Sequence, residues 1–179
     1  MIVRKDALVR VFALISLLYT VFFFSCEKLP FPRKMNQQPA SAVIQLDQAD
    51  SEIAKITEDA RNTLSGFLRR LARPASGERN FCIKYPFTAD EGSGIHAEHL
   101  WLTDIRFKDG LYYGILAGDP QYISGMKKGD TVSFSADFIT DWMYIQGDKI
   151  IGGYSIKYLL ENIPEETRSE EQQKILNMF

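Results

Sequence analysis

The chain has 179 residues, 45% of them apolar, with 21 basic and 23 acidic side chains and a net charge of −2. That balance excludes the basic excess on which phosphate-driven nucleic-acid binding rests. No glycine-rich phosphate loop follows a strand pattern, so neither a nucleotide nor any other cofactor is expected.

Arg4, Lys5 and Arg10 form a basic start, followed by a mostly apolar run from Val11 to Phe24 and then Ser25-Cys26. The run is about 14 residues, short of the roughly 18 or more of a membrane span, and matches an export signal. A cysteine at the cleavage point identifies residues 1–25 as a bacterial lipoprotein signal and Cys26 as the lipidated N-terminus. Phe23 and Phe24 depart from the small or aliphatic residues usual before that cysteine. An uncleaved anchor and a soluble exported form are the alternatives; each puts the remainder outside the cytoplasm, in the cell envelope. Two or three acyl chains hold a protein stably on a membrane where one does not. Without the leader the chain carries 18 basic and 22 acidic side chains.

Residues 26–46 include Pro30, Pro32 and Pro39 with little periodicity. They are expected to form a flexible tether spanning about 25 Å. Residues 47–179 then suffice for a single domain with its own core. Ile53, Ile56, Ala60, Leu64, Phe67, Leu68 and Leu71 recur at steps of three and four. They predict an amphipathic helix capped by Asp50 or Ser51 and ended near Pro74 and Gly77. Strands are expected at Phe81–Tyr85, closed by Pro86, and at His96–Phe107. Asp109-Gly110 is a strong hairpin signal leading into Leu111–Ala117. Thr131–Phe138 alternates as a half-buried strand. Trp142–Gln146 and Lys149–Tyr154 flank a Gly147-Asp148 turn of the type with glycine first. Ser155 is the expected cap of a helix through Asn162, and residues 163–179 form a helical tail. The predicted class is α+β: a strongly bent antiparallel sheet of about six strands with the long N-terminal helix packed on one face.

Several segments occur in a telling order: Glu98-His99-Leu100-Trp101-Leu102, Asp109-Gly110, Tyr113-Gly114-Ile115, Asp119-Pro120, Lys128-Gly129-Asp130-Thr131-Val132, Asp137-Phe138-Ile139-Thr140-Asp141-Trp142-Met143-Tyr144 and Gly152-Gly153-Tyr154-Ser155. Over about residues 47–162 this series resembles the bacterial family known as domain of unknown function 2314, the YegJ-like proteins. Asp119 stands where that pattern more often has asparagine. The resemblance implies one compact domain and carries no activity with it.

His96-Ala97-Glu98-His99 is neither the zinc-protease helix motif nor its inverted form. On a strand its two histidines point to opposite sides, and no second Cys/His cluster exists to complete a metal site. His99 is expected on the face of Trp101, Ile105 and Phe107. Glu98, Asp137 and Asp141 are the candidate catalytic carboxylates, able to act as acid and base with a histidine if they converge. The competing structural reading has Asp141 holding backbone N–H groups at a turn while the other two are surface charges. Trp101, Tyr112, Trp142 and Tyr144 are candidate ligand-platform residues, although aromatic side chains also fill ordinary cores. Cys82 reads as a small buried apolar residue.

Three functions compete. First is a membrane-tethered, non-catalytic binding module for an envelope protein or a small ligand. Second is an inhibitor or immunity-type protein, which needs a large exposed apolar patch. Third is an envelope hydrolase using the carboxylates, which needs them gathered in one pocket.

Overall fold

The computed structural model describes residues 43–179, with side chains from Ser51 onward. The signal, Cys26 and most of the tether lie outside the described residues. Helix α1 (Val43–Ala72) is followed by β1 (Glu78–Thr88), β2 (Ala97–Lys108), β3 (Leu111–Leu116), β4 (Thr131–Phe134), β5 (Asp141–Gln146) and β6 (Lys149–Gly152). Helices α2 (Tyr154–Glu161) and α3 (Glu170–Leu176) complete the chain. The six strands form one antiparallel sheet in the order β4-β3-β2-β1-β5-β6. Among the described residues no helix is long and apolar enough to cross a membrane.

Strand alternation builds two cores, one on each face. On one face Ile83, Leu100, Leu102, Trp142 and Tyr144 pack with Ala60 and Phe67 of α1. On the other, Cys82, Met143 and Ile150 pack with Ile156 and Leu160 of α2, with Ile163 just after it, and with Ile175 of α3. The sheet is therefore covered on both faces. The helical tail supplies the second layer and also shields the β6 edge, where Ile150 N–H donates to Met178 O at 2.8 Å. Cys82 is buried in this second core, as its sequence context suggests.

Several local expectations give way to tertiary structure. Helix α1 begins at Val43, inside the segment read as tether, and runs through Asp50 and Ser51 without using either as a cap. Strand β1 continues through Pro86 to Thr88. It can do so because β5 pairs β1 no further than Lys84, which leaves Pro86 at a local edge where a missing donor costs nothing. The strand expected through Phe138 stops at Phe134. Ser135 accepts from Asp137 N–H and starts a single 3-10 turn over Ala136–Phe138. The α2 cap is Gly153, in a left-handed conformation, and not Ser155.

Both hairpin turns hold. Asp109 and Gly110 both have positive φ, 51° and 83°, while in the second hairpin Gly147 has φ 59° and Asp148 is not in that region. The tail helix α3 opens with a reciprocal cap between Ser169 and Gln172.

Candidate functional site

The start of β5 faces Lys84 in the middle of β1, since Lys84 and Asp141 are direct cross-strand partners. Asp141 is 1% exposed and accepts four hydrogen bonds. Trp142 N–H donates at 2.7 Å, Tyr154 N–H at 3.2 Å, Ser155 N–H at 2.8 Å and the Ser155 hydroxyl at 2.6 Å. Two of the backbone donors belong to the first turn of α2, whose Gly153 cap has no side chain to satisfy them. Asp141 thus fastens the start of α2 to the start of β5 and places a carboxylate at a helix N-terminus, where it is favoured.

The Lys84 ammonium donates to the Ser155 hydroxyl at 3.3 Å, so Ser155 bridges the lysine to Asp141. The same ammonium lies 5.9 Å from the centroid of the Trp101 ring. Burial pushes the Lys84 ammonium below its usual range, against the pull of Asp141. Burial pushes the Asp141 carboxyl up, against the hydrogen bonds from Ser155, the Lys84 charge and the Trp142 N–H. For both groups desolvation outweighs pairing, as for many buried ion pairs.

The Thr140 hydroxyl donates its single proton to the Lys84 carbonyl at 3.2 Å. His99 Nδ1, 3.1 Å from that hydroxyl, must then be the donor of the pair, which leaves Nε2 of the neutral ring as an acceptor. Partial burial against the cavity, and then the nearby Lys84 charge, hold the imidazole of His99 below its ordinary 6.5 although the residue as a whole is exposed.

A base whose folded value lies below its unfolded value takes up a proton first in the unfolded chain. Its stabilising contribution is therefore present above pH 6.5 and declines as pH falls through the window beneath it. The melting temperature of the wild-type chain should fall between about pH 7 and about pH 5.5, and His99→Asn should flatten that decline. Parallel curves for the two proteins would remove His99 as the cause.

Lys84, His99, Thr140, Asp141 and Ser155 form the polar end of a cavity of about 260 Å³. Ile53 and Ile56 of α1 and Leu159 of α2 supply its apolar wall. Tyr158 closes the rim between the helices through a hydrogen bond with Glu52 that pushes the phenol up. The cavity offers an ammonium donor and an imidazole acceptor within an apolar wall, a combination suited to orienting a small amphipathic molecule.

The three candidate carboxylates do not converge. Glu98 shares the sheet face of Leu100 and Leu102, whereas Asp141 shares that of Met143. Glu98 accepts from the backbone N–H groups of Gln121 (2.9 Å) and Tyr122 (2.9 Å) and so ties down the loop after β3. Asp137 is exposed on the 3-10 turn, hydrogen-bonded to Ser135. The acid–base grouping is corrected on these grounds, and the structural reading of Asp141 as a holder of backbone N–H groups stands.

The four candidate aromatic residues do not form one platform: Tyr112, Trp142 and Tyr144 belong to the first core and Trp101 to the second. Trp142 is buried, donates its indole N–H to Ala60 O at 2.8 Å and stacks on Phe67 with centroids 5.1 Å apart. Tyr144 is buried against Phe81. Tyr112 stacks on Phe134, and Trp101 is engaged with Lys84 and the second core. His99 does share a strand face with Trp101, while a register shift between Thr103 and Arg106 separates it from Phe107. The residues missed in the sequence are Lys84, Thr140 and Ser155. A lysine inside an otherwise apolar strand was the available signal for the first.

A family model described as "Uncharacterized protein conserved in bacteria (DUF2314)" matches residues 50–176, reaching into α3. The chain is 38% identical over 96 residues to the "Uncharacterized protein YegJ" of Escherichia coli K12, covering 54% of this chain and 60% of that one. It is 34% identical over 135 residues to a protein of Neisseria meningitidis serogroup B whose description names ankyrin repeats, covering 73% of this chain and 53% of that one. The chain thus spans little more than half the length of these curated relatives. No solved structure matches it. With the ordered motif series, the six-stranded sheet and a family match across nearly the whole described domain, the chain belongs to the DUF2314 family of uncharacterized proteins conserved in bacteria.

Proposed function

We propose that this protein is a non-catalytic binding module of the bacterial cell envelope, tethered to a membrane through an acylated Cys26. Its ligand is a small amphipathic molecule held in the cavity between α1, α2 and the sheet. The observation that carries this reading is the Lys84 donor and the His99 acceptor at one end of an apolar-walled cavity. Each is positioned by hydrogen bonding: Ser155, itself bonded to Asp141, holds Lys84, and Thr140 pairs with His99. Asp141 is saturated by four donors, and Glu98 and Asp137 lie elsewhere, which favours binding over acid–base chemistry. The basic leader, apolar run and Cys26 support the membrane tether.

One preparation tests both parts. The full chain is expressed in a bacterium, membranes are separated from soluble material, and the protein is examined by native mass spectrometry. Wild type is expected in the membrane fraction with a diacyl or triacyl mass and a retained small molecule. Cys26→Ser should lose the acyl mass and leave the membrane. Leu159→Trp, which fills the cavity, should lose the small molecule while keeping the anchor. An unacylated wild-type chain would defeat the tether. A molecule retained equally by Leu159→Trp, or none retained by wild type, would defeat the cavity.

A further inference from the structure

A second site lies on the opposite side of the sheet, independent of that cavity. The last turns of α1 and the buried rings of β5 enclose an open groove of about 550 Å³, whose lining includes Gly66, Arg69, Arg70, Arg73, Trp142 and Tyr144. We propose that this groove binds a phosphate-bearing anion through the three arginines.

The charge is arranged for it. Arg70 is anchored 3.3 Å from Glu78, whose side chain is fully buried. Arg69 and Arg73 have no side-chain partner among the described residues, so the groove keeps a surplus of positive charge in a chain that is acidic overall. Guanidinium groups present planar donor forks that match phosphate oxygens; Arg69 and Arg70 sit in the last turn of α1, Arg73 follows its end directly, and all three line the groove. Basic residues at a helix C-terminus also complement the helix dipole, but that alone needs no groove.

Two features indicate a built site. Tyr144 lines the groove, and its hydroxyl, which bonds to no other described residue, is not a sealed-off atom but stays accessible. A ligand oxygen entering the groove can pair with it. Gly66 stands in the interior of α1, where glycine weakens a helix relative to alanine. A Cβ there would meet only Arg69 Nη2, at 3.9 Å, so packing does not require glycine. What glycine does at position 66 is leave the groove open.

The test is calorimetric titration of the detergent-solubilised full chain with sodium tripolyphosphate at constant ionic strength. A parallel arm measures co-sedimentation of the unacylated Cys26→Ser chain with phosphatidylcholine vesicles that do or do not contain phosphatidylglycerol. Saturable binding to tripolyphosphate assigns the site to a soluble phosphate compound; binding to phosphatidylglycerol vesicles alone assigns it to a lipid headgroup. Arg69→Gln with Arg73→Gln should weaken binding by about tenfold or more. Gly66→Leu should weaken it comparably with no change of charge, and with a melting temperature equal to or above wild type. Tyr144→Phe should lose a smaller factor. Failure of wild type to bind either probe would overturn the proposal. So would Gly66→Leu binding as tightly as wild type, since the attraction would then be a diffuse surface effect.

Discussion

Replacing Asp141 with alanine is expected to cost about 3–5 kcal/mol of folding stability, a large fraction of the roughly 5–15 kcal/mol that holds a typical domain folded. The substitution removes the shared acceptor of Trp142 N–H, Tyr154 N–H, Ser155 N–H and the Ser155 hydroxyl. It also strands the Lys84 ammonium, which keeps Ser155 but loses its counter-charge. Asp141→Asn retains one oxygen acceptor and should lose roughly half as much. Adding Lys84→Met to Asp141→Ala should recover part of the loss, because a buried charge without a partner costs more than an apolar side chain in its place. Urea unfolding of the four proteins gives the comparison. A loss below about 1 kcal/mol for Asp141→Ala, or a double variant no better than the single one, would mean that the pair does not join α2 to the sheet.

The second large effect is expected at Gly152. Its φ is +79°, and a Cβ there would strike the Trp142 carbonyl oxygen and stand 2.6 Å from both Cε3 and Cζ3 of the indole ring. That carbonyl accepts from Gly153 N–H, and the ring is held by its bond to Ala60 O and its stack on Phe67. A methyl group must displace the backbone of β5 or drive Trp142 out of the first core. Gly152→Ala combines a left-handed backbone penalty with overpacking and should cost about 3–5 kcal/mol. Gly110→Ala is the control. It also has positive φ, but its Cβ would enter open space, so only the backbone penalty of about 1–2 kcal/mol applies. Equal melting temperatures for the two variants would show that Trp142 yields easily and that the close approach carries no energetic weight.

Both effects arise at positions whose importance is differently legible in the sequence. The Gly152-Gly153 pair and Asp141 stand out in the ordered motif series, and the reading of Asp141 as a holder of backbone N–H groups is what the structure contains. Which N–H groups it holds was not legible. Ser155 has the composition of an N-cap, yet it lies in the first turn of α2, behind the Gly153 cap, and donates its hydroxyl to Asp141. Lys84 falls in the predicted strand Phe81–Tyr85, and only the register places it opposite Asp141. Glu98 and Asp137 were drawn toward Asp141 by residue type alone, and strand alternation then separated Glu98 onto the other face.

By itself the sequence determined what depends on a few adjacent residues. The Asp109-Gly110 and Gly147-Asp148 turns, the apolar stripe of α1, the α+β class and the helical character of the tail are of this kind. Each follows from backbone permissiveness or from a periodicity that repeats within one element. Tertiary structure alone decided where strands end, which residue caps α2, that the tail covers a second face, and which charges meet. Those outcomes turn on pairings between segments distant in the chain, where the energy of burying or satisfying a polar group depends on a neighbour that no local pattern names.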